Sequence, residues 1–188
     1  MKIALVGSHG VGKTTLCFEL AAALKRRNAD VEMVREVARR CPLPINQDTT
    51  VAAQEWILHT QIAWEIDAAA NSEVVLCDRS VLDNYCYLVH AAGSLRAWET
   101  FIDHWQPTYD VLVYVPISEH PSYDGVRAVD PSFQQLVDVL LEGMIAARGL
   151  TPLRLEASNR ENWCDVIVEA LLPILEPTLP LFEGGPGS

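Results

Sequence analysis

The chain has 188 residues, 49% of them hydrophobic and 21% charged, with a formal net charge of -11. That length suits one α/β domain with a full core and is too short for two, and the composition leaves no long stretch to stay disordered. Three lysines against eleven arginines in an acidic chain disfavour a non-specific track for polyanions, while a compact anion held locally by arginines stays allowed.

In chain order, apolar runs separated by turn signals predict a strand over Lys2 to Val6 and a helix over Lys13 to Arg27 that buries Leu16, Leu20, Ala23 and Leu24. A second strand follows at Val31 to Val34, then a proline-bearing loop from Cys41 to Thr50 and a long helix from Val51 to Asn71. Val74 to Cys77 reads as the third strand, and Asp78 opens a helical region, broken near Gly93, that reaches about Trp105. Asp110 to Val115 is the fourth strand, residues 116–131 a mobile connection, Ser132 to Ala147 a helix, Pro152 to Glu156 a fifth strand and Asn162 to Leu175 a last helix. The main domain therefore spans 1–175, and residues 176–188, with three prolines and three glycines, form an irregular tail. Strands alternating with helices predict a mostly parallel five-stranded sheet with helices on both faces, a three-layer α/β fold that binds ligands at the carboxyl ends of its strands.

No apolar run approaches the roughly 20 residues that span a bilayer, and the first residues read as a strand and not as a secretory signal, so the expected location is cytoplasmic. Five cysteines without a C-x-x-C pair suggest neither a disulfide framework nor a zinc site.

Gly7-Ser8-His9-Gly10-Val11-Gly12-Lys13-Thr14 fits G-x-x-x-x-G-K-[ST] between a strand and an amphipathic helix, the setting in which that pattern cradles phosphates. Glycines let the backbone wrap so that its N–H groups and the helix N-terminus face an anion. Lys13 then bridges the outer phosphates of ATP, Thr14 offers a hydroxyl to Mg²⁺ and Thr15 reaches an inner phosphate. His9 reads as a loop residue at the surface without a catalytic role. The third strand ends Cys77-Asp78-Arg79-Ser80, with an arginine where a hydrolytic motor carries a second carboxylate, and no N-K-x-D pattern marks a GTPase. Transfer is favoured over hydrolysis.

Asp78-Arg79-Ser80, followed by Asp83 and Tyr85, resembles the D/E-R-S segment of deoxynucleoside kinases and the D-R-x segment of thymidylate kinases. Val34-Arg35-Glu36-Val37 is similar to the glutamate-bearing end of their second strand, and Tyr123-Asp124-Gly125-Val126-Arg127 resembles the lid of nicotinamide riboside kinase domains and their AAA-like ATPase relatives. The resemblance implies the P-loop kinase fold, with 116–131 as lid. It implies that Asp78 or Glu36 takes the acceptor's proton or, for Asp78, helps hold Mg²⁺, that Arg79 steadies the acceptor or the moving phosphoryl, and that Arg127 closes over the nucleotide. Asn159 and Arg160 would flank the adenine. Simpler readings stand beside these: Asp78 capping the helix near Ser80, Glu36 pairing with a surface arginine, Arg79 in a buried ion pair, Arg127 solvated. Arg35, Arg39 and Arg40 form either an acceptor-phosphate site or a polar face, and Tyr85, Trp56 and Trp64 are read as core.

The leading expectation is an ATP- and Mg²⁺-dependent kinase acting on a small nucleoside, nucleotide or related metabolite. A hydroxyl in DNA or RNA is a second acceptor, which the acidic balance disfavours, and a nucleotide-gated switch binding a protein partner is a third reading. A homodimer is compatible with all three.

Overall fold

Lys2–Val6 (β1) is buried at every position, the mark of a strand covered on both faces. The computed structural model describes residues 1–117 and 130–175. Val31–Val34 (β2), Val74–Asp78 (β3), Val111–Tyr114 (β4) and Leu153–Arg154 (β5) join β1 in a sheet ordered β2-β3-β1-β4-β5. All four pairings are parallel. In the register Leu5 faces Asp78 and Val6 faces Tyr114, so β1, β3 and β4 end together and the turns after them share one edge.

The helices are Lys13–Lys25 (α1), Val51–Asn71 (α2), Val81–Ala92 (α3), Arg96–Trp105 (α4), Pro131–Ala147 (α5) and Trp163–Leu175 (α6). They divide between the two sheet faces because β1 alternates. Ala4 and Val6 point into a core with Leu58, Leu82, Tyr85, Leu88, Ile102 and Leu141 of α2 to α5, whereas Ile3 and Leu5 point into one with Leu16, Leu20, Leu24, Ile167 and Leu171 of α1 and α6. Three-layer α/β architecture with helices on both faces is therefore observed as expected from sequence.

Element ends differ by a residue or two where caps decide them. α1 stops at Lys25, and Asn28, at φ 63°, lets Ala29 N–H return to the Leu24 carbonyl. α3 ends at Gly93, which has φ 74°. β5 pairs over two residues in place of the five expected, because it lies at the sheet edge and its pairing with β4 covers only Leu153 and Arg154. The loop before α2 contains a single 3₁₀ turn, Asn46–Asp48, and Thr50 caps α2 by accepting from Ala53 N–H. Tyr85 is fully buried and Trp64 packs at the core edge, as their helical placement suggested, whereas Trp56 is only half-buried and belongs to neither core. No helix among the described residues is long and apolar enough to cross a membrane.

Leu171 is completely buried where α6 packs on the sheet and α1. Leu171→Ala should cost about 2–5 kcal/mol in urea unfolding, the range for a cavity in a close-packed core; a loss below about 1 kcal/mol would contradict this packing.

Candidate functional site

The edge where β1, β3 and β4 end carries the Gly7–Thr15 loop. Gly7 has φ 151° and its missing Cβ would lie 2.4 Å from the Val115 carbonyl oxygen, so only glycine lets β1 turn there. Gly10 and Gly12 follow at φ 78° and 96°. Gly12 occupies the cap position of α1 and supplies no side-chain cap, which leaves the first amides of the helix facing out of the loop. Lys13, only 4% exposed, folds back so that Nζ donates to the Gly7 and Ser8 carbonyls at 2.7 and 2.6 Å. Burial is the main cause that lowers its pKa to about 8, reinforced by Arg79 and opposed by Asp83, Asp78 and Glu36. Such a loop fits a polyphosphate: it offers a helix N-terminus without a side-chain cap, and a desolvated ammonium group that an anion would stabilise.

β3 delivers the facing carboxylate. Asp78 is its last residue and accepts from Thr14 Oγ1 across the loop. Burial raises the Asp78 pKa, helped by the charge of Glu36, while Thr14, Lys13 and Arg79 oppose the rise. A hydroxyl and a carboxylate are hard oxygen donors that can ligate Mg²⁺, which characteristically takes one or two protein oxygens and completes its shell with phosphate and water. Among the described residues no group of three or more His, Cys, Asp or Glu side chains is placed to hold a metal, so an ion at Thr14 and Asp78 would need a nucleotide's oxygens as well.

Beyond β3 the chain turns through Arg79, buried and at φ 100°. Its Nε donates to Glu36 Oε1 at 2.9 Å, and its guanidinium lies 5.3 Å from the centre of the Tyr87 ring. Glu36 follows β2, is 9% exposed, and also accepts from Arg39 Nε at 2.9 Å. The surface pairing considered for Glu36 is thus a buried one with Arg79, joined by Arg39 of the 3₁₀ turn Val37–Arg40. Asp78 does not cap α3. Ser80 does so, accepting from the Leu82 and Asp83 amides, while Asp83 Oδ2 accepts from Ser80 N in return.

Glu36 and Arg79 border a small cavity of about 30 Å³, partly open to solvent, whose walls include His9, Gln54, Asn84 and Tyr87. Arg79 Nη1, Asn84 Nδ2 and Gln54 Oε1 are buried there without a hydrogen-bond partner among the described residues. Unspent polar atoms in the wall of a cleft are what a small polar ligand satisfies.

The structure brings Lys13, Thr14, Asp78, Glu36 and Arg79 to one edge, together with Ser8, whose Oγ is buried without a partner among the described residues. Val11 is buried in the α1 core and anchors the loop, whereas Thr15 is exposed. His9 corrects the surface expectation: it is 3% exposed, its ring meets Phe133 at 5.3 Å, and its Nδ1 is 3.2 Å from Tyr87 Oη. Helices α3 and α5 cover it, which its loop position could not reveal. Asn159 and Arg160 lie in the 3₁₀ turn after β5. Arg160 reaches the loop, its Nη2 being 2.8 Å from where a Gly12 Cβ would stand, while Asn159 Oδ1 accepts from Asn162. Arg127 and the expected lid lie outside the described residues, apart from the ends of that segment.

Sequence reasoning missed Gln54, Asn84 and Tyr87 as cavity walls, and Asp83 as a bridge. Asp83 Oδ1 accepts from Gly7 N at 2.8 Å while Oδ2 accepts from Ser80 N at 2.9 Å, so one carboxylate ties the phosphate-type loop to the Arg79 turn. Gln54 was detectable as a polar residue at an apolar-stripe position of α2, one turn before Ile57 and Leu58.

A family model described as an AAA domain matches residues 2–162. No curated protein matches the chain. Among solved structures, deoxyadenosine kinase from M. mycoides with the products dCMP and a flexible dCDP aligns with TM-score 0.62 at 17% identity, covering 91% of this chain and 98% of that one. The same enzyme with bound dATP aligns with TM-score 0.63 at 18% identity over the same shares. The chain is similar to these in fold.

Lys13 yields a pH test. Because its folded pKa is lowered, the unfolded chain holds more protons between about pH 8 and 10.5, and stability from this group rises with pH across that window. An anion seated on the ammonium reverses the shift. Calorimetry of triphosphate binding at pH 8.5, in buffers of different ionisation enthalpy, should register uptake of up to one proton that fades towards pH 7; equal heats in all buffers at pH 8.5 would contradict the buried ammonium.

Proposed function

The chain belongs to the AAA domain family, and from that premise we propose that it is a phosphotransferase that uses ATP and Mg²⁺ to phosphorylate a hydroxyl or phosphate of a nucleoside, nucleotide or related small metabolite. The observation that carries the reading is the convergence of two half-sites on one sheet edge. Lys13 and the glycine loop form one, the Glu36–Arg79 cavity forms the other, and Asp83 is hydrogen-bonded to Gly7 of the loop and to Ser80, the residue after Arg79. Hydrolysis alone needs no such second cavity. The deoxyadenosine kinase structures, whose bound molecules are dCMP, dCDP and dATP, share this fold and support a nucleoside-type acceptor.

In this reading the amides from Gly7 to Thr15 hold the triphosphate and Lys13 exchanges the Gly7 and Ser8 carbonyls for the outer phosphates. Thr14 and Asp78 would hold a Mg²⁺ ion, which would supply charge neutralisation on the phosphates. Glu36 borders the cavity and Asp78 does not, so Glu36 takes the acceptor proton and Asp78 serves the metal side. Arg79 orients Glu36 and presents its unspent Nη1 to the acceptor or the moving phosphoryl group. Arg160, against Gly12, borders the donor, with Asn159 beside it. Arg127 is assigned to the donor side by its D-G-V-R setting.

Incubation with labelled ATP, Mg²⁺ and a panel of nucleosides and monophosphates should yield a phosphorylated product, reduced about a hundredfold or more in Lys13→Ala. Glu36→Gln should lower turnover by a similar factor while donor binding persists. Slow hydrolysis indifferent to every acceptor would overturn the reading and favour a nucleotide-gated switch.

A further inference from the structure

Three described residues other than glycine have positive φ: Asn28 at 63°, Asn46 at 64° and Arg79 at 100°. Asparagine visits that region readily; arginine does not, and such a conformation persists only where surrounding bonds over-determine it. The bonds that determine it here come from behind the site. The Arg79 carbonyl accepts from Gln61 Nε2 at 3.3 Å, and Val81 N–H donates to Tyr109 Oη at 3.0 Å. Both supports rest on one group: Glu65 Oε1 accepts from Gln61 Nε2 at 2.8 Å and from Tyr109 Oη at 2.7 Å.

Glu65 is completely buried, and its other oxygen accepts from Lys2 Nζ at 3.0 Å and Trp105 Nε1 at 2.8 Å. A buried ion pair is weak evidence of stabilisation, since apolar residues of the same volume often serve a core as well. What distinguishes this one is where its hydrogen bonds lead. They run from α2 and from the segment before β4 to the two peptides flanking Ser80, and none of them touches the Gly7–Thr15 loop.

We infer that Glu65, acting through Gln61 and Tyr109, is a positioning network that locks Arg79 in its left-handed conformation and so aims the guanidinium at Glu36 and the acceptor cavity. The inference rests on the assignment of Arg79 to the acceptor side. The network acts on transfer and leaves donor binding alone.

The test uses Tyr109→Phe in the full chain, which removes one hydroxyl and little volume, with Gln61→Leu as a second variant should the first fail to fold. Turnover per folded molecule should fall about tenfold, with donor Kd within twofold of wild type. In an Arg79→Lys background, Tyr109→Phe should cost less than a further twofold, because both changes disable the same element. Leu171→Ala, destabilised in the other core, should keep wild-type turnover per folded molecule. Full turnover in Tyr109→Phe, or losses that simply multiply with Arg79→Lys, would overturn the inference. A second readout needs no turnover: the Arg79 Nε–H resonance in ¹H–¹⁵N NMR, bonded to Glu36, should shift or broaden in Tyr109→Phe, and an unchanged resonance would overturn the inference. Should the wild type phosphorylate nothing, the proposed reaction fails and the resonance still decides the network.

Discussion

The Lys13 ammonium group is held out of water at the carboxyl end of the central strand, where the carbonyls of Gly7 and Ser8 satisfy it and the charges of Asp83, Asp78 and Glu36 offset part of its desolvation. A lone cation in such a place is costly, and its pKa falls to about 8 as a result. The arrangement makes physical sense as one half of a charge pair whose other half is a ligand. Much of the local structure follows from it: glycines at positive φ that bring backbone dipoles to the ammonium, an α1 N-terminus without a side-chain cap, and Asp78 bonded to Thr14 alongside.

Parallel strands that end in register put three further buried charges within reach of that cation. β1 ends at the loop, β3 ends at Asp78 with Arg79 next, and β2 leads to Glu36. Asp83 couples these parts by bonding the first amide of the loop and the amide of Ser80 at once. Such coupling gives donor and acceptor sites a fixed separation, which phosphoryl transfer requires because most of its catalysis is positioning and charge stabilisation.

The elements that were legible in the sequence share a local signal. The glycine loop is defined by spacing within nine residues, each strand by an apolar run, and each helix by its stripe. Asp78, Glu36 and Arg79 were reachable because they lie at, or within two residues of, the carboxyl ends of strands, which the loop marks as functional. What escaped detection depends on contacts between distant residues. Asp83 meets Gly7 across 76 positions, and His9 is covered by Tyr87 and Phe133 from two later helices. Glu65 looks like a surface residue of a long helix, yet it shares the buried face of α2 with Gln54, Ile57, Leu58, Gln61 and Ala68. Polar residues recurring on that face were a readable sign of a buried network; their partners on α4 and before β4 were not.

Equilibrium binding of a non-hydrolysable ATP analogue with Mg²⁺, measured on folded wild type and on Lys13→Ala, tests the central claim most directly. The account predicts saturation at one molecule per chain for the wild type and an affinity lower by at least about tenfold for the variant, the scale of one charge-assisted contact to phosphate. No saturable uptake by the wild type, or equal affinity in both proteins, would contradict it.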